Sequence, residues 1–223
     1  MEGTRADVLI ETMRAERSGD IALWPWHLAR LTRSAGALGF AAVPPDLHRQ
    51  VKGKAAATGI TGAQRVRLLF TREGQIDMTC APLGDLPLPA RARLACDTLG
   101  PQAVLKAEEP LLRHKATYRP WYTQAADWLA RHDAYFDLLY ANERGELCEG
   151  SRTNLYVMHD GIWLTPPTES GCLPGTQRAA LLAAGRVREA ALTPADLPQA
   201  QGARLSNALR GWFDVAIDPP QAA

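Results

Sequence analysis

Three prolines and a glycine within eight residues constrain this chain more than any other feature. The stretch Pro82-Leu83-Gly84-Asp85-Leu86-Pro87-Leu88-Pro89 is not a regular helix, because each proline lacks an amide hydrogen and clashes with the preceding turn. A central strand is excluded too, since the missing donors would break its ladder. The stretch reads as an edge segment or connector, with folded segments on either side. A length of 223 residues suits one large domain or two small ones. The boundary is placed within 98–112, separating a small domain of residues 1–103 from a larger one of residues 104–223.

Periodicity supplies the elements on each side. Residues 7–14 read as a strand. Pro25 opens a helix through Leu38, with Leu28, Leu31, Ala35 and Leu38 at helical spacing and Gly39 as its stop. Pro44-Pro45 opens a second helix through Ala57, ended by Gly59. Residues 64–71 and 75–80 flank Arg72-Glu73-Gly74 as a hairpin. Residues 91–97 read as a strand, and 120–132 as a helix with Trp121, Ala125, Trp128 and Leu129 on one face. Strands follow at 135–141, 153–158, 162–165, 203–207 and 212–217. Gly175-Thr176-Gln177-Arg178 leads into a helix over 179–184 closed by Gly185. The tail from Pro219 to Ala223 is expected to fray.

Charge excludes some classes of partner. The net charge is +1, from 25 basic and 24 acidic side chains, without the basic excess of a nucleic-acid binder. No apolar run approaches a membrane span, and the first residues lack a signal pattern. Cys80, Cys96, Cys148 and Cys172 form no Cys-x-x-Cys pair, so they read as reduced thiols with no metal site. A cytoplasmic location is expected. Of the 25 basic residues only Lys52, Lys54, Lys106 and Lys115 are lysines. Where charge alone is needed this chain uses arginine, so a lysine draws attention as an amine that can lose its proton.

Lys115 lies in Arg113-His114-Lys115-Ala116-Thr117-Tyr118-Arg119-Pro120, and Glu149 in Glu149-Gly150-Ser151-Arg152-Thr153-Asn154. The pair supplies what pyridoxal 5'-phosphate (PLP) chemistry needs. An amine forms a Schiff base with the aldehyde, and a carboxylate holds a proton on the pyridine nitrogen so that the ring accepts electrons. The spacing also admits plainer roles. Lys115 fits a solvated lysine near Glu108 and Glu109, and Glu149 a surface or helix-capping carboxylate. Asn154 serves equally as a brace or a turn residue. Arg30, one helical turn after His27, suits a bidentate phosphate grip. The free amides at Gly175-Thr176-Gln177 and the Thr176 hydroxyl suit an anion, or an ordinary cap. Ser206-Asn207-Ala208 adds candidate donors.

In order along the chain, these motifs resemble the class IV aminotransferase family of fold-type IV PLP enzymes. The blocks are Glu11-Thr12-x-Arg14, His27-x-x-Arg30-Leu31, the Lys115 segment, Asn142-Glu143-x-Gly145-Glu146-x-x-Glu149-Gly150-x-x-x-Asn154-Leu155, Gly171-Cys172-Leu173-Pro174-Gly175-x-x-Arg178 and Ser206-Asn207-Ala208-Leu209-Arg210-Gly211.

The resemblance implies an α+β, α/β-type architecture like that of D-amino acid aminotransferase, with a small N-terminal α/β sandwich and a larger β-barrel-like domain carrying helices. It implies Lys115 as the catalytic lysine and Glu149 at the pyridine nitrogen. Phosphate would be held by Arg30, Thr176, Gln177, Asn207 and Ala208, and the working form would be a homodimer. Within the family, Lys115-x-x-x-Arg119 and Asn207-Ala208-x-x-Gly211 are similar to 4-amino-4-deoxychorismate lyases. Branched-chain aminotransferases instead place a tyrosine where Pro120 stands. The implied activity is conversion of 4-amino-4-deoxychorismate to 4-aminobenzoate and pyruvate in folate biosynthesis, with a functional link to aminodeoxychorismate synthase. Branched-chain or D-amino acid transamination is the alternative, and a catalytically silent PLP-binding or accessory role a second. Two substrate carboxylates call for arginines, for which Arg119, Arg152 and Arg210 are candidates. Tyr118 departs from the asparagine or arginine more usual there.

Overall fold

Alternating burial along its middle strand marks the first sheet. Strand β1 (Val8–Ala15) leads to helix α1 (Trp24–Leu38) and helix α2 (Leu47–Ala56), followed by β2 (Gln64–Thr71) and β3 (Ile76–Pro82). The three strands are antiparallel in the order β1-β2-β3. Along β2, Val66, Leu68 and Phe70 are buried while Arg65 and Arg67 face solvent, as a sheet with one covered face requires. Gly74, at φ 90°, makes the hairpin turn into β3. This computed structural model describes residues 6–86 and 88–219, so the expectation of a frayed tail at 220–223 lies outside the described residues.

Helix α1 has proline in its first turn and ends at Gly39, whose φ of 69° closes it in the left-handed region. Its buried face is more polar than the Leu28–Leu38 periodicity suggests. His27, Arg30, Leu31, Ser34 and Ala35 are the buried residues. Charged groups tolerate that position only when paired, and their partner comes from β1. Helix α2 begins at Leu47 rather than at Pro44, because the prolines form a turn in which the Leu47 amide donates to the Pro44 carbonyl at 3.1 Å.

The remaining elements are β4 (Ala90–Leu94), α3 (Ala95–Leu99), α4 (Thr123–Leu129), β5 (Asp137–Ala141), β6 (Leu147–Gly150), β7 (Asn154–His159), β8 (Ile162–Thr165), α5 (Thr176–Ala183), β9 (Arg188–Glu189), β10 (Gly202–Asn207) and β11 (Gly211–Ile217). The strand expected over 91–97 stops at Leu94, where the chain turns into α3. The helix expected over 120–132 starts as a 3-10 turn at Pro120–Tyr122 and ends at Leu129. The short β9 has too little pattern to be read from sequence.

These strands form one mixed sheet in the order β6-β5-β4-β11-β10-β7-β8-β9. Both faces are covered. Leu139 packs with Leu155, Leu205 and Phe213 on one side, while Leu138 and Tyr140 pack with Ala125, Leu129 and Tyr122 on the other. The Leu147 amide on edge strand β6 donates to the carbonyl of Leu192, beyond the opposite edge strand β9, at 2.7 Å. The sheet therefore curls toward closure, which satisfies edge donors that an open sheet would leave exposed.

The chain divides into two compact units. One comprises the chain up to Asp85 with His114–Tyr118 and Ala208–Arg210, and the other comprises Leu86–Arg113, Arg119–Asn207 and the chain from Gly211. The division falls at Asp85 rather than at 103/104, because β4 is hydrogen-bonded between β5 and β11. Lys115 groups with the N-terminal unit because its neighbour Ala116 bridges to Leu9 on β1. Among the described residues no helix is long and apolar enough to cross a membrane, none of their His, Cys, Asp and Glu side chains cluster as metal ligands, and all four cysteines are free.

Candidate active site

In the first unit the chemistry gathers around Glu11. Its side chain is buried on β1 and accepts Arg30 Nε at 2.8 Å and Arg30 Nη2 at 2.6 Å. The same carboxylate lies 2.6 Å from His27 Nδ1. Burial alone would raise the Glu11 pKa, but the charge and hydrogen bonds of Arg30, helped by His27, hold it down at about 2. Burial also pushes the His27 pKa down, against the pull of Glu11. A neutral imidazole that donates from Nδ1 leaves Nε2 as an acceptor. That atom is buried with no hydrogen-bond partner among the described residues.

Lys115 is held on the far edge of β1. Its carbonyl accepts the Ile10 amide at 2.8 Å, and the Thr117 amide donates to the Val8 carbonyl at 3.0 Å. The preceding residue is tied to α1, with His114 Nδ1 at 2.9 Å from Ser34 Oγ. Lys115 itself is half-buried, and its positive charge contributes to the lowered His27 pKa. Arg210, also in this unit, donates to the Gly84 carbonyl.

The second unit carries Glu149 at the end of β6, 3% exposed. A surface carboxylate is thereby excluded. The Tyr122 hydroxyl donates to Glu149 Oε1 at 2.6 Å, and Arg119 Nη2 lies 3.7 Å from the same oxygen. Asn154 Nδ2 donates to the Leu173 carbonyl at 2.9 Å and lies 3.4 Å from Glu149 Oε2. Asn154 is thus a brace rather than a turn residue. Arg119 stands against Glu149, whereas Arg152 lays its guanidinium over the Phe136 ring at 5.2 Å.

The turn from Glu149 to Asn154 is organised by Asp137. This buried carboxylate accepts Ser151 Oγ and Thr153 Oγ1, each at 2.6 Å, and the Arg152 amide at 3.2 Å. Burial raises the Asp137 pKa against these donors. Gly150 is required here, since a Cβ would collide with Asp137 Oδ2 and Thr153 Oγ1.

Helix α5 opens at Gly175-Thr176. Gly175 is the N-cap, and a Cβ there would run into Asn154 Oδ1. The Thr176 hydroxyl is buried and has no hydrogen-bond partner among the described residues. A desolvated hydroxyl beside free helix amides is costly unless an anion completes it. Gln177 is half-buried beside it. Asn207 Nδ2 reaches the Arg152 carbonyl at 3.4 Å, and Ser206 Oγ is 2.8 Å from the Tyr156 hydroxyl.

Sequence reasoning singles out Lys115, Glu149, Arg30 and Thr176 but assigns no role to Glu11, Tyr122 or Asp137. Glu11 and His27 enter it only as parts of motifs. The strand periodicity of 135–141 hides Asp137.

The chain belongs to the class IV aminotransferases. The profile of that family, "Amino-transferase class IV", matches residues 8–217, and the fold is that of the fold-type IV enzymes. The "Putative amino-acid aminotransferase" of Mesorhizobium loti superposes with a TM-score of 0.83 at 36% identity, over 95% of this chain and 99% of that one. The "Putative aminodeoxychorismate lyase" of Schizosaccharomyces pombe is 29% identical over 175 residues, covering 77% of this chain and 72% of the relative. The solved structure of a "Putative 4-amino-4-deoxychorismate lyase" from Legionella pneumophila shares the fold, with a TM-score of 0.81 at 21% identity over 95% of this chain and 83% of that one. The family is PLP-dependent, and the groups present suit that cofactor. The orphaned Thr176 hydroxyl at a helix start fits a phosphate, and the buried Glu149 fits a protonated ring nitrogen.

Proposed function

We propose that this chain is a PLP-dependent carbon–oxygen lyase acting on 4-amino-4-deoxychorismate. The observation that carries the PLP reading is Glu149, a carboxylate 3% exposed and held by the Tyr122 hydroxyl. Thr176, Gln177, Arg30, Asn207 and Ala208 are assigned to the phosphate. Arg30 contributes its remaining nitrogen, since Nε and Nη2 are engaged by Glu11. When bound, the cofactor supplies an aldehyde for the substrate amine and a ring that accepts an electron pair.

In this reading the Lys115 amine takes the proton from the substrate carbon that bears the amine. Glu149 keeps the ring nitrogen protonated. The carbon–oxygen bond to the enolpyruvyl group then breaks, and that group leaves with a proton as pyruvate. Aromatisation to 4-aminobenzoate supplies the driving force, and no amino acceptor is consumed. The lyase reading is supported by the name of the S. pombe relative and by the Lys115-x-x-x-Arg119 spacing. We place the working form as a homodimer, which sedimentation would test.

The M. loti structure, at 36% identity, favours a second reading, transamination. One experiment separates the two. Purified protein is given enzymatically generated 4-amino-4-deoxychorismate, and in parallel branched-chain or D-amino acids with 2-oxoglutarate. The lyase forms pyruvate and 4-aminobenzoate in the first and little glutamate in the second. Lys115→Ala abolishes both products and the visible chromophore. Turnover retained in that variant would refute the assignment.

A further inference from the structure

Tyr122 and Arg119 have no part in the steps above, yet both are set against Glu149. We propose that they are positioning residues that tune the carboxylate, so that the segment following Lys115 sets how firmly the ring nitrogen holds its proton. This inference rests on the assignment of Glu149 to that nitrogen and goes beyond it.

The two oxygens of Glu149 have unlike surroundings. Oε1 takes a short hydrogen bond of 2.6 Å from a buried phenol. Oε2 meets Asn154 at a longer 3.4 Å, and that amide is committed to Leu173 at 2.9 Å. A buried carboxylate without donors is a strong base, because burial penalises its charge. A donor at 2.6 Å withdraws that basicity.

Tyr122 acts only as a donor. Burial first, and then the Glu149 charge, push its pKa far above the ordinary phenol range, so the proton stays on the phenol. The Arg119 guanidinium lies 4.4 Å above the phenol ring and 3.7 Å from Glu149 Oε1. It adds positive charge to the same oxygen and polarises the phenol as a donor. The thiols of Cys148, next along β6, and Cys172 also sense Glu149. Burial raises both, Cys172 to about 12, so they stay neutral. The ring edge of Tyr140, with centroids 5.1 Å apart, fixes the Tyr122 ring in place.

The arrangement keeps Glu149 ionised and leaves the shared proton on the ring nitrogen. A bare buried carboxylate would draw that proton to itself, and an amide would not hold it at all.

The test uses holoenzyme reconstituted with PLP labelled with 15N in the ring. The 15N resonance reports the share of the proton held by that nitrogen, and it is followed against pH. Tyr122→Phe is expected to move the resonance away from the protonated limit, because the more basic carboxylate draws the shared proton toward its own oxygen, with a change of about tenfold in the sharing ratio. Arg119→Gln, which leaves the phenol packed, shifts it the same way by a smaller amount. Glu149→Gln moves it to the unprotonated limit. If Glu149→Gln moves the resonance while Tyr122→Phe and Arg119→Gln both titrate like wild type, the tuning role is overturned and the ring-nitrogen assignment stands. If Glu149→Gln leaves the resonance in place, the assignment itself fails and takes this inference with it.

Discussion

Arg30 grips Glu11 through two nitrogens at once, Nε at 2.8 Å and Nη2 at 2.6 Å, on a carboxylate that is 2% exposed. This fork ties helix α1 to strand β1, whose other edge carries the backbone of Lys115. The pair therefore serves the fold and the orientation of Arg30 together.

The pH dependence of stability follows from the depressed Glu11 pKa. It stands at about 2 in the folded chain against an ordinary 4.5. The folded state binds this proton less readily than the unfolded chain. The stabilisation is therefore fully present above about pH 4.5 and is lost as pH falls toward 2, amounting to about 3 kcal/mol. Glu11→Gln should flatten that part of the stability curve in urea melts taken between pH 2 and pH 6. It should also cost about 3–5 kcal/mol at neutral pH, because Arg30 is left as a buried charge without its partner. A Glu11→Gln variant as acid-sensitive as wild type would show that other groups govern the acid limb.

Much of the scaffold is legible in the residue pattern. Pro25 and Gly39 bracket α1 because proline preorganises a helix start and glycine accepts the left-handed stop. The β2–β3 hairpin follows from alternation around Gly74. The failures share a physical origin. Residues 95–97 are helical although they continue a stretch that reads as a strand, and Pro44-Pro45 forms a turn although prolines also open helices. In both cases tertiary packing decides between local options of similar energy. Of the candidate site, Lys115, Glu149, Arg30 and Thr176 are nameable from motif order. Glu11, Tyr122 and Asp137 are not, because burial of a charge is intelligible only with its partner. Glu11 lies 16 residues from His27 and Tyr122 lies 27 from Glu149.

Two glycines separate steric need from convenience. Gly150 has no room for a methyl group, since a Cβ would meet Asp137 Oδ2 and Thr153 Oγ1. Gly150→Ala should push apart the hydrogen bonds of the turn that carries Glu149, with a loss of about 2–4 kcal/mol and weaker cofactor retention. Gly36 is exposed on α1, and an alanine methyl there would meet nothing within 4 Å. Gly36→Ala should stabilise by about 0.5–1 kcal/mol through helix propensity alone. Thermal melts of both variants provide the check, and equal shifts would contradict the steric argument.

Thr176 offers a test that separates binding from folding. Its hydroxyl is buried without a hydrogen-bond partner among the described residues. Thr176→Val keeps the side-chain shape and deletes a desolvated polar group, so the apo protein should be as stable as wild type or gain up to about 1–2 kcal/mol. With the proposed phosphate in place, the same hydroxyl donates to an anion. The variant should then bind PLP about tenfold more weakly, the loss of one charge-assisted hydrogen bond of about 1.5 kcal/mol. Melts of apo protein and equilibrium dialysis against PLP give the two numbers independently. A variant that loses stability but keeps its PLP affinity would make Thr176 a structural residue and would remove the start of α5 from the phosphate assignment.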